Sequence, residues 1–234
     1  MDSSEQHVSK HFSHRGFTDI VYEPDGNIPP DFLVNSHIAV EVRRLNQNHF
    51  DADGAKGLEE VAIPLWNKIK AMLAGLGGPV DGESWFIYFR YSRPVEPWSS
   101  LKPQLQRALQ AFISAPNKSK GTLLRAQGFE LDVFRAGKPH ATMFLLGGCS
   151  DEESGGWLLS EMEVNIRHCA SEKSRKIAKV KAKYEQWWLA LVDHIGYGLD
   201  DFDRQMFRDQ VCIEHDWDKI VIIDPNDHTR WFEI

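Results

Sequence analysis

The sequence predicts one α/β domain interrupted by an insertion of roughly its middle third. Three observations point there. A short amphipathic helix is followed by three strand-like runs (17–23, 31–35 and 38–45). A long basic helical stretch (160–184) then leads to the apolar runs WWLALVD and KIVIID, with a helical segment between them. The middle, about 50–158, mixes helices and strands that continue neither half.

Residues 4–15 read as the first helix, with Val8 and Phe12 four apart on its core face and Gly16 as its stop. The segment EPDGNIPP separates the first two strands and is dense in turn formers. Residues 55–75 read as a helix that Pro64 breaks or starts. SWFIYFRYS (84–92) reads as a strand and 100–114 as a helix. Residues 122–136 and 139–148 read as a strand pair turning at Gly137-Lys138-Pro139, and 151–156 as a loop. WWLALVD (187–193) and KIVIID (219–224) are short apolar runs that read as buried strands, with a helix at 200–210, and HTRWFEI closes as a strand.

At 234 residues with 42% apolar residues and eight tryptophans, the chain can bury a sizeable core. No apolar run is long enough to span a bilayer, and the N-terminus lacks an apolar signal region. Three cysteines without CxxC spacing suit free thiols, and the expected location is cytoplasmic. The net charge of −7 argues against indiscriminate adhesion to nucleic acid. The basic charge is nonetheless concentrated: residues 167–183 hold seven Lys or Arg and one acid, Glu172. Neither GxSxG nor GxxxxGK[ST] occurs, which disfavours a serine hydrolase and a P-loop NTPase.

The stretch PPDFLVNSHIAVEVRR (29–44) carries the candidate chemistry. Acids inside an apolar strand cost free energy unless compensated. With 35–37 as a three-residue loop, Val34 faces Ile38, Phe32 faces Val40 and Asp31 faces Glu41. Alternation then puts Phe32, Val34, Ile38, Val40 and Val42 on one apolar face and Asp31, Glu41 and Arg43 on the other. Opposed carboxylates repel unless a cation lies between them, and Mg²⁺ takes such oxygen ligands. Arg43 could equally be that cation, in a structural ion network.

Pro30-Asp31 followed by Glu41-Val42-Arg43, after a helix carrying Glu5, resembles the PD-(D/E)XK nuclease superfamily. The later helix-and-strand stretch KIAKVKAKYEQWWLALVD (176–193) is similar to the family's as well, so the likeness covers about 1–46 and 160–224. The resemblance implies a restriction-endonuclease-like mixed β-sheet flanked by helices, with the 50–158 insertion after the third strand. It implies hydrolysis of nucleic-acid phosphodiesters with Mg²⁺ or Mn²⁺. Asp31, Glu41 and the Val42 carbonyl would hold the ion, Glu5 would be a further ligand or base, and Arg43 would steady developing charge. Arg43 stands where the family has lysine, and arginine does not give up its proton. Lys179 or Lys183 is the candidate for the missing amine. The alternative is a degenerate member that binds nucleic acid or a protein partner without cutting.

Lys176, Lys179 and Lys183 fall at i, i+3 and i+7 and would face nucleic acid from one side of the basic helix, or simply solvent. The expected partner is nucleic acid, DNA ahead of RNA, with a homodimer or protein partner also in view and no membrane. His7, His11 and His14 share a helical spacing that suits zinc, but no acid or cysteine completes a ligand set, so a surface stripe is the expectation.

Overall fold

The structure, a computed structural model, describes residues 1–52 and 54–234. In chain order it contains α1 (Ser3–His14), β1 (Ile20–Tyr22), β2 (Phe32–Val34), β3 (Ile38–Leu45), β4 (Asn48–Asp51), β5 (Gly54–Gly57), α2 (Glu59–Ala74) and β6 (Trp85–Tyr91). There follow α3 (Trp98–Ser114), β7 (Gly121–Ala126), β8 (Phe129–Arg135), β9 (Phe144–Asp151), α4 (Leu158–Ile177), β10 (Gln186–Asp193), α5 (Asp201–Gln210), β11 (Lys219–Ile223) and β12 (Trp231–Glu233). The protein is mixed α/β and divides into two compact units: Met1–Asn48 with Gly155–Ile234, and His49–Ser154.

The first unit is built on a six-stranded sheet in the order β1-β2-β3-β10-β11-β12. β1, β2 and β3 form an antiparallel meander, whereas β3, β10 and β11 run parallel. The hairpin register is the one the hydrophobic pattern predicts, with Phe32 opposite Val40 and Val34 opposite Ile38. A parallel strand buried on both faces needs apolar residues at nearly every position. Hence WWLALVD and KIVII. On one side Val40, Val42, Ala190, Val192, Val221 and Ile223 pack with Val8 and Phe12 of α1. On the other, Ala39, Leu45, Leu189, Leu191, Ile220 and Ile222 pack with Met162, Ile166 and Ile177 of α4. Each Val, Leu, Ile, Phe or Met among them contributes about 1.5–3 kcal/mol by leaving water.

α1 starts with a reciprocal capping box. Asp2 accepts from the Glu5 backbone N–H at 2.9 Å, and Glu5 Oε2 accepts from that of Asp2 at 2.5 Å. Two of its three histidines depart from the expected surface stripe, while His14 is exposed. His11 is buried and donates from Nδ1 to the His228 carbonyl at 2.8 Å, and His7 donates from Nε2 to that of Asp224 at 2.6 Å. They dock α1 on the C-terminal turn.

The second unit has a four-stranded sheet, β7-β8-β6-β9, and the small β4-β5 pair. Trp85, Ile87, Phe89 and Tyr91 alternate along β6 into a core shared with Leu65, Ile69 and Leu73 of α2 and Leu101, Leu105 and Leu109 of α3. The expected pairing of 122–136 with 139–148 is not formed. Residues 121–135 fold back on themselves as β7 and β8 through a tight turn with Gly128 at φ +59°. β8 is then flanked by β7 and β6, so β9 pairs with β6 in parallel instead.

The basic helix is also shorter than expected. α4 ends at Ile177, and a single 3-10 turn follows at Lys181–Lys183. The Val180 N–H bonds the Ile177 carbonyl, and the Trp187 indole N–H takes the Lys181 carbonyl at 2.9 Å. These bonds turn the chain into β10. Lys176, Lys179 and Lys183 therefore do not share a helical face.

Candidate functional site

β3 lies between β2 and β10, which fixes where its side chains go. Val40 and Val42 point to the α1 side, so Glu41 points to the α4 side together with Ala39 and Leu45. Glu41 is 0% exposed there. Asp31 immediately precedes β2, and its Oδ2 accepts the Val42 backbone N–H at 2.7 Å. Val42 thus reaches the acids through its N–H.

The cation beside these acids is Lys173. Its Nζ lies 2.6 Å from Glu41 Oε2 and 3.6 Å from Asp31 Oδ2. A second ammonium, that of Lys176, sits 3.1 Å from the same Glu41 oxygen. The two lysines differ in access, with side chains 10% and 48% exposed respectively. Burial would lower the Lys176 pKa, but the charge of Glu41 and its hydrogen bond outweigh that and raise it. Glu41 Oε1 is buried and has no hydrogen-bond partner, although Oε2 has two. A buried carboxylate oxygen without a donor carries a desolvation cost of about 1–3 kcal/mol or more.

Arg43 does not join the acids. Its Nη1 donates to Glu172 Oε1 at 2.5 Å, and Glu172 Oε2 lies 3.4 Å from His168 Nε2. Burial lowers the pKa of His168, against the opposing pull of Glu172. Glu5 is likewise engaged elsewhere. Besides its cap, its Oε2 accepts the Tyr22 hydroxyl at 3.0 Å. Hydrogen bonding to Glu23, burial, and then Glu5 raise the Tyr22 pKa. Among the described residues no hydrogen bond or ion pair links Glu5 to Asp31 or Glu41.

Of the proposed nucleic-acid lysines, only Lys176 reaches the acids. Lys179 is exposed to solvent. Lys183 pairs with Asp25, which also accepts the Tyr184 hydroxyl at 2.8 Å. Neither Lys179 nor Lys183 lies beside the acids. The lysine there is Lys173, which sequence reasoning missed. The signal was present: Leu159, Met162, Ile166, Cys169, Lys173 and Ile177 follow one another at spacings of three and four, and all are buried. A lysine inside an apolar helical stripe must carry its charge to a buried acid.

Two carboxylates converging on one cationic point are a hard-oxygen donor pair of the kind Mg²⁺ takes, and Glu41 Oε1 is an unused donor beside them. The pair fits a divalent ion in chemistry. No group of three or more His, Cys, Asp or Glu suited to a metal occurs among the described residues. No helix among them is long and apolar enough to cross a membrane.

No family model, no curated protein and no solved structure matches this chain.

Proposed function

We propose that the chain is a restriction-endonuclease-like phosphodiester hydrolase acting on nucleic acid. The observation that carries the reading is the Lys173 ammonium shared between Glu41 and Asp31. It places a lysine beside the two acids although Arg43 occupies the expected lysine position. The strand order supports the reading too: a helix, a three-strand meander bearing the acids, then a helix delivering lysine and a strand parallel to the third.

In this reading Asp31 and Glu41 would hold Mg²⁺ or Mn²⁺, which would supply charge stabilisation at a phosphoryl oxygen. Lys173 would donate hydrogen bonds at the reacting phosphate. Lys176, half exposed, steers the incoming phosphate. Arg43 is held on Glu172 and contributes fixed positive charge.

A second reading has its own support. Lys173 and Lys176 already compensate Glu41, so the same residues would serve as an ion network in a protein that binds without cutting. Cleavage of single- and double-stranded DNA and RNA, with Mg²⁺ and with Mn²⁺, separates the two. Wild type should cut and Asp31→Ala should not, with circular dichroism showing both folded. Equal inactivity of the two on every substrate would leave the non-cutting reading.

A further inference from the structure

We infer that Lys173 is an internal stand-in for the divalent ion, so that ion binding at Asp31 and Glu41 requires its ammonium to withdraw. This rests on the ion-binding reading above and adds a condition to it: the free protein holds its own site shut.

The geometry gives the reason. Lys173 Nζ takes Glu41 Oε2 at 2.6 Å and stands 3.6 Å from Asp31 Oδ2. An ion bridging Glu41 Oε2 and Asp31 Oδ2 would approach each to about 2.0–2.1 Å, closer than the ammonium does, and so would compete with it for the same two oxygens. Glu41 Oε2 already carries two ammoniums and Glu41 is 0% exposed, so a further cation there is repelled strongly while both stay. Lys176 has a cheap exit, because its half-exposed side chain can swing into water. Lys173 has none, since it belongs to the buried stripe of α4. Its withdrawal therefore sets the cost of ion entry, and a binding-competent state populated by a fraction weakens apparent affinity by that fraction.

The ammonium comes from a helix on the sheet's face and lands between the two acids. Glu41 Oε1, buried and without a partner, is the oxygen left over by this arrangement.

The test is Mn²⁺ binding by calorimetry to wild type, Lys173→Met and Lys176→Met, with lysine accessibility on the unsubstituted chain. Lys173→Met should bind at least tenfold more tightly than wild type, and Lys176→Met should differ from wild type by only a few-fold. Brief acetylation read by peptide mass spectrometry should label Lys173 faster with Mn²⁺ than without, while Lys179 stays constant. The labelling decides the matter even if Lys173→Met does not fold. Equal affinities with unchanged Lys173 labelling would overturn the inference and leave ion binding intact. Absence of Mn²⁺ binding in wild type and Lys173→Met alike would overturn both.

Discussion

Arg43 donates to Glu172 at 2.5 Å, so the guanidinium two residues beyond Glu41 is tied to α4 and turned from the acids. The pair is only partly buried. Arg43→Lys should therefore not raise cleavage. A shorter ammonium at 43 still has Glu172 as its nearest acid, and Lys173 already stands at Glu41. On the hydrolase reading proposed above, turnover within about threefold of wild type is expected, and a large gain would show that an amine at position 43 serves better than the Lys173 arrangement. Stability should fall by no more than about 1 kcal/mol, the usual worth of an exposed ion pair.

The Glu41–Lys173 contact should behave as a buried pair. Breaking one side leaves an uncompensated charge and costs about 3–5 kcal/mol, whereas replacing both partners with apolar residues of similar volume is often near neutral. Urea unfolding of Glu41→Leu, Lys173→Leu and the double variant should show the double variant losing far less than the sum. Additive losses would mean that the two groups do not depend on each other.

Gly198 should be intolerant of a side chain. It sits at φ +75°, and a Cβ there would lie 2.3 Å from Asp224 Oδ2. Asp224 is buried and fixed by Arg230 at 3.0 Å, so it cannot give way freely. Backbone strain of this kind alone is worth about 1–3 kcal/mol. Gly198→Ala should lower the thermal midpoint by several degrees, while the same change at Gly75, where nothing but a carbonyl at 3.5 Å is near, should scarcely register.

Acid should weaken the fold through His194. Burial, then Arg44 and His7, push its pKa from 6.5 to about 4. The unfolded chain thus takes up a proton near 6.5 that the folded chain refuses until about 4. This contribution is complete above 6.5 and is lost as pH falls through that window. Urea midpoints at pH 7 and 4.5 should differ less for His194→Gln than for wild type. An equal difference would show that other groups account for the acid sensitivity.

Much of the first unit was legible in the sequence because its strands are buried on both faces and read as unbroken apolar runs. The β2–β3 register followed from a period of two: one slip would have put Phe32 and Val40 on the charged side. The pairing of β9 was not legible, since no local signal says which of two neighbours a strand will choose. Lys173 was obscured differently. In a segment with seven basic residues, the lysines that catch the eye are those on a regular spacing. The informative one interrupts the apolar spacing, and its importance shows only once β3 supplies a buried acid beneath it.

Gln47 and Gly155 hold each other twice, the Gln47 amide donating to the Gly155 carbonyl at 2.8 Å and accepting its N–H at 3.1 Å. The chain therefore exits the first unit and returns to it at the same doorway. Excising 49–154 and joining the two ends with a few glycines would leave nothing to stretch, because the gap is already spanned by a single side chain. That makes the six-stranded body a candidate for a free-standing minimal protein, in which the fate of the acids and Lys173 can be followed without the inserted half.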